Sequence, residues 1–129
     1  MGFQFPDARE ALYTLLDGQE FAGQTVTAYF QRTTDWTDHL PAVTIYQVGG
    51  NEGFISNTVR LTVEVYADGT LAQEVAVAIK EALADKHHDV PDVGLIDRIE
   101  VESLPTTIPY ASDKINLSVA TYRATSRPL

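Results

Sequence analysis

The stretch "KHHDVPD" (86–92) gathers four side chains of metal-ligating type: His87, His88, Asp89 and Asp92. Adjacent histidines do not share a helix face, and the His/Cys spacings that hold zinc are absent. The same residues have a plainer use. A helix is expected just before them, and imidazoles near its C-terminal end meet its partial negative charge. The expectation is a helix cap, with no metal and no cofactor. His39 lies far away in sequence, near Trp36, Asp35 and Asp38, and reads as a loop residue.

Other chemistry is equally sparse. The chain has no cysteine, which rules out disulfides and thiolate metal sites and fits a reducing compartment. No serine stands in a G-x-S-x-G turn. The glycine-rich piece "VGGNEG" (48–53) lacks a following Lys-Ser/Thr and does not open a helix, so it does not cradle phosphate as a P-loop would. Glu100 and Glu102 are two apart on one strand face. Like charges can raise a carboxyl pKa, but no pocket-forming pattern surrounds the pair, and a solvated face is expected. No enzymatic chemistry is expected from these residues.

The formal charge is −9. Residues 1–56 carry −5, residues 57–112 carry −6, and residues 113–129 carry +2. Direct nucleic-acid binding needs a basic footprint that this chain lacks. Lys114, Arg123 and Arg127 form a basic end against an acidic body, an asymmetry that can draw one copy to another. The start has no basic leader region and no apolar run, so no signal peptide is expected, and no stretch is apolar enough for a membrane span.

These side chains must be positioned by elements that the hydrophobic pattern outlines. Asp7, with Glu10 three residues on, opens a helix whose apolar stripe is Ala8, Ala11, Leu12, Leu15 and Leu16, with Gly18 as its stop. "QTVTAYFQR" (24–32), "PAVTIYQV" (41–48) and "NTVRLTVEVYA" (57–67) alternate as strands. "TTDWTDHL" is a polar connection between the first two, and "GGNEGFIS" (49–56) reads as a hairpin tip. Thr70 and Gln73 suggest a capping box for a second helix with stripe Leu71, Val75, Ala78, Ile79, Ala82 and Leu83. "HHDVPDVG" is expected as a loop, "LIDRIEVES" (95–103) as a strand and "LPTTIPYASD" as an irregular crossover.

The order α-β-β-β-α-β-β predicts one α+β domain over residues 1–129. It is expected to be a mainly antiparallel sheet of about five strands with two helices on one face. In the closing strand, Ile115, Leu117 and Val119 are expected to face the core, and Asn116, Ser118, Ala120 and Tyr122 the other side. Tyr29, Tyr46, Tyr66 and Tyr122 would then recur on the polar sheet face, where amphipathic rings suit protein contact.

The run of "TVTAYF", "LPAVTIYQVGGNEG", "VRLTVEVYADG" feeding a helix, and "IEVESLPTTIPYASDKINLSVATYRATSRP" resembles the tail terminator proteins of long-tailed, siphovirus-type bacteriophages, particularly those of actinobacteria. The resemblance covers nearly the whole chain and rests on structural patterns, not a chemical signature. It implies an α+β protein made in the host cytoplasm and carried in the virion at the head–tail junction. Such a protein forms a hexameric ring on the tail tube, stops tube polymerisation and joins head-completion proteins, while DNA passes through the lumen. An acidic ring, six times the −9 of one chain, repels phosphates during that passage. Partners would be further copies, the major tail tube protein and a neck protein, with no membrane. Interface residues expected on this reading are Phe54 and Ile55 at the glycine-rich tip, Tyr66, and Tyr122 and Arg123 near the end of the last strand. A head–tail adaptor or head-closure protein fits the same size and role. A small ligand-binding or enzymatic module would instead require a pocket with converging polar groups.

Overall fold

Asp7 starts the first helix. In the computed structural model, which describes residues 4–52, 56–110 and 112–129, its carboxylate accepts the backbone N–H groups of Arg9 and Glu10, both at 3.1 Å. Two orphan donors at the start of helix α1 (Ala8–Leu16) are thereby satisfied. Ala8, Ala11, Leu12 and Leu16 turn inward. Gly18 follows at φ +73°, a conformation that glycine takes without steric cost. The Asp17 carboxylate accepts the Ala28 N–H at 3.0 Å and so fixes how the next segment leaves the helix.

That segment is shorter and more broken than its alternation predicts. Strands β1 (Glu20–Phe21) and β2 (Gln24–Thr25) form a small hairpin, and β3 (Thr27–Tyr29) joins the main sheet. Val26 interrupts the run. Its backbone bonds to Gln19 and Gly18 while its side chain enters the core. Then come β4 (Ala42–Glu52), β5 (Asn57–Asp68), helix α2 (Leu71–Leu83), β6 (His88–Val90), β7 (Gly94–Ile96), β8 (Arg98–Ile108) and β9 (Ile115–Ser126).

The fold is α+β, with a five-stranded sheet ordered β3-β4-β5-β9-β8. Its pairings are antiparallel apart from β3 with β4, which is parallel. A parallel neighbour requires a crossover, and residues 30–41 supply it with a single 3-10 turn at Trp36–Asp38.

Three segments differ from expectation. The pairing of β4 with β5 continues to Glu52 and Asn57, with a bulge between Gln47 and Gly49, so Gly49 and Gly50 belong to the strand and not to a loose tip. Gly50 sits at φ +146°, and a Cβ there would lie 2.1 Å from the Thr58 carbonyl oxygen. "HHDVPDVG" forms the β6–β7 hairpin instead of a loop. The expected crossover after Ser103 is instead strand as far as Ile108, with two register breaks and Pro105 on an edge strand, where a missing N–H is tolerated.

The second helix is held differently from its predicted capping box. Thr70 makes no side-chain cap. Gln73 faces the sheet instead. It donates to the Pro105 carbonyl at 2.9 Å, and its amide oxygen accepts the Ser118 hydroxyl at 2.7 Å and the Thr107 hydroxyl at 3.2 Å. One side chain thus ties α2 to both β8 and β9.

Both helices cover one sheet face. The core there joins Val43 and Ile45 of β4, Val59, Leu61, Val63 and Val65 of β5, and Ile99 of β8 to the buried stripes of α1 and α2. Strand β9 enters this core with Ala120, Tyr122 and Ala124, the opposite phase from the one expected. Its partners explain the reversal: Val63 lies opposite Ala120, Leu61 opposite Tyr122 and Val59 opposite Ala124. Small side chains on β9 leave room for α2 to lie close, and Tyr122 fills the wider space beyond. Leu117, with part-buried Ile115 and Val119, belongs to a second, smaller cluster on the other face.

Tyr122 is fully buried, and its hydroxyl has no hydrogen-bond partner among the described residues. A buried unpaired hydroxyl costs about 1–3 kcal/mol. In urea unfolding, Tyr122→Phe is therefore expected to keep or raise stability, by up to about 1 kcal/mol after partial relaxation. Tyr122→Ala is expected to lose about 3–5 kcal/mol.

Candidate functional site

The face of the sheet away from the helices is the candidate site, and its residues follow directly from the strand register. At one end Ala42, Tyr66, Leu117 and Ile108 stand side by side across four strands. Next come Thr44, Glu64, Val119 and Thr106, then Tyr46, Thr62, Thr121 and Ser103. The fourth row is Gly49, Arg60, Arg123 and Glu100.

The first row is covered at Ala42, Tyr66 and Leu117, while Ile108 at its end stays exposed. The 30–41 crossover brings Trp36 against Tyr66, with ring centres 5.0 Å apart, and Tyr110 approaches Tyr66 at 5.3 Å. The Arg32 guanidinium lies over both Trp36 and Tyr66, at 4.5 and 4.7 Å from the ring centres. Such stacking stabilises a cation on the electron-rich ring faces. The Tyr66 hydroxyl donates to Glu64 at 3.1 Å. Burial, and then the neighbouring Glu64 carboxylate, push the Tyr66 phenol well above its ordinary range. Tyr46 is raised by the same two causes in the same order.

The second row is closed at Thr44 and half-buried at Glu64 and Val119, the third is open at Tyr46 and half-buried at Thr62 and Thr121, and the fourth carries charge. Arg60 and Arg123 are direct neighbours on β5 and β9, a placement that destabilises a sheet unless anions intervene. Two glutamates of β8 do so. Glu102 takes Arg60 in two contacts of 2.7 and 2.9 Å, and Glu100 lies 3.6 Å from Arg123. Glu102 reaches Arg60 across β9 because the register breaks between Val101 and Ser103. Both arginine side chains remain 48% exposed, so each pair is worth about 0–1 kcal/mol and orients more than it stabilises.

The expected interface residues separate on this framework. Phe54 and Ile55 lie outside the described residues. Tyr66 is buried beneath Trp36 and Tyr110, and Arg123 is on the open face. Tyr122 is on the core face, which corrects its expected place among the polar-face tyrosines. Nor does the end of β9 form a sheet edge: β9 runs between β5 and β8, and its last residues, Ala124 and Ser126, are buried. Arg32, Trp36 and Tyr110 are the residues that sequence reasoning passed over. A lone Trp in an otherwise polar connection was their one signal.

The metal-type residues do not converge. The His88 ring nitrogen lies 3.0 Å from the Leu83 carbonyl at the end of α2, the expected cap. His39 pairs with Asp35 at 3.2 Å. Among the described residues, no three His, Cys, Asp or Glu side chains are grouped to hold a metal ion.

No protein-family model matches the chain, and no curated protein matches its sequence. The arrangement itself offers a broad, mixed surface bounded by an aromatic wall, with its charges paired across strands.

Tyr66 and Tyr122 carry a pH consequence. Burial raises both phenols, whose ordinary value is 10.0. Above that pH the unfolded chain releases protons that the folded chain keeps. The stability contributed by the neutral phenols is complete below about pH 10 and declines as pH rises beyond it. In an alkaline titration, phenolate absorbance from these two of the six tyrosines is expected to appear only together with loss of near-ultraviolet circular dichroism.

Proposed function

We propose that this chain is a structural ring protein of the phage tail-terminator type. On this reading it caps the tail tube as a hexamer, ends tube polymerisation and presents a joining surface to the neck. The observation that carries the reading is the open sheet face. Five strands are covered by helices on one side only, and the other side keeps Tyr46, Thr62, Thr121, Arg60 and Arg123 available beside an aromatic wall. Surfaces of this mixed kind are used for contact between folded proteins. The resemblance in sequence supplies the identity of the assembly, and the acidic charge suits a lumen through which DNA passes.

Phe54 and Ile55 belong to this proposal as residues that dock on the tube or on the adjacent subunit. Arg123 belongs to it as part of the paired charge row. Tyr66 acts from beneath, by holding the Arg32–Trp36 wall in place.

Three measurements test the reading. The mass of the protein at high concentration is expected to exceed that of one chain, with six copies in assembled particles; a strict monomer in both would end the proposal. Tails assembled without the protein are expected to grow beyond normal length in electron micrographs. Tails of normal length that fail to join heads would instead mark a head–tail adaptor. Thr121→Arg, at the centre of the open face, is expected to leave the unfolding midpoint nearly unchanged while abolishing self-association.

A further inference from the structure

Arg32 is held by aromatic rings and not by an anion. It is clamped between Trp36 and Tyr66, which holds its planar N–H edge in a fixed direction. Yet among the described residues none of the five ion pairs involves it, in a chain with twice as many acids as bases. The nearby carboxylates are occupied elsewhere: Glu64 by the Tyr66 hydroxyl, and Asp35 by Thr33 and His39. Beside Arg32 lies an open depression of about 390 Å³ walled by Phe30, Trp36 and Tyr46. Phe30 is 37% and Tyr46 36% exposed. A guanidinium at the rim of a hollow of mixed lining, with Gln31, Thr33 and Thr34 beside the rings, is placed to receive a carboxylate carried on a compact segment.

The same chain has such a segment at its other end. The β6–β7 turn exposes Asp89, Pro91 and Asp92. Neither carboxylate has a hydrogen bond or an ion pair among the described residues. The turn is stiff: Val93 N–H bonds to the Val90 carbonyl at 3.1 Å, and Val90 and Ile96 anchor the hairpin in the core. It cannot reach Arg32 within one molecule. Asp97, next to the hairpin, bonds to Thr125, which lies opposite Thr58. Arg32 sits on Tyr66, eight residues further along β5, or roughly 26 Å at 3.3 Å per residue.

We propose that the Arg32 depression binds the Asp89–Asp92 turn of a second copy of this chain. The two surfaces differ, so the contact is heterologous, the kind that closes into a ring when the rotation allows. The inference rests on the ring reading and adds the residues of one contact.

Trp36, the sole tryptophan of the chain, is stacked on Arg32 and reports the contact directly. Its emission and the sedimentation-derived mass would be followed over a dilution series of the full chain. Arg32→Gln and the double variant Asp89→Asn, Asp92→Asn would each weaken association about tenfold or more. The exposed double variant keeps the test sound should Arg32→Gln loosen the aromatic cluster. Combining Arg32→Glu with Asp89→Lys and Asp92→Lys would restore association and the emission change. Association of the double variant at wild-type strength would overturn this contact and leave the ring reading standing. A wild-type chain that never associates would overturn both.

Discussion

Leu61 and Tyr122 face each other across β5 and β9, both fully buried, and the layout of the sheet follows from that pairing. Side chains on a strand alternate between faces, so setting one residue inward sets all of them. With Tyr122 inward, Ala120 and Ser118 fall beneath α2 and leave it room. Arg123 and Thr121 are turned outward with Thr62 and Arg60. Had β9 taken the other phase, Leu117 and Val119 would crowd the helix and Tyr122 would stand in solvent. The open face exists because the aromatic ring fills the core end of the last strand and the alanines fill the rest.

The parts of this fold that were legible in sequence are those with one dominant pattern. Asp7 and the Leu12–Leu16 stripe defined the first helix, and the Val/Leu alternation of β5 placed its inner face correctly. His88 was read as a cap and is one. Strand β9 was misread because both of its faces carry apolar residues: Leu117 and Val119 look more hydrophobic than Ala120 and Ala124. Hydrophobicity alone does not tell a main core from a lesser one, and here a minor cluster with Ala42 and Tyr66 claims the larger side chains. The local signal at Thr70 and Gln73 lost to tertiary contact, since three partners on the sheet satisfy Gln73 better than a helix start does.

The candidate site was legible only in outline. Tyr29, Tyr46 and Tyr66 were assigned to the second face, and the register agrees. Its aromatic wall depends on a crossover that brings Arg32 and Trp36 back over the sheet. That crossover follows from the parallel pairing of β3 with β4, which no periodicity in a three-residue strand announces. Glu102 reached Arg60 through a break in strand register, a feature equally silent in sequence. Geometry of this long-range kind decides which charges meet, while composition decides only how many there are.

Strand β4 is in effect two strands. From Ala42 to Ile45 it is buried on both faces, and Arg9 closes its edge by donating to the Ile45 carbonyl at 3.0 Å while lying over Phe30. From Tyr46 to Asn51 it is exposed on both faces, and β3 no longer runs beside it. Local opening follows buried apolar contact. Amide hydrogens in the first half are thus protected by the whole fold, whereas those in the second depend on pairing with β5 alone. The boundary falls between Ile45 and Tyr46, just before the Gln47–Gly49 bulge, so the outer arm can trade solvent for a neighbour while the core behind it stays closed.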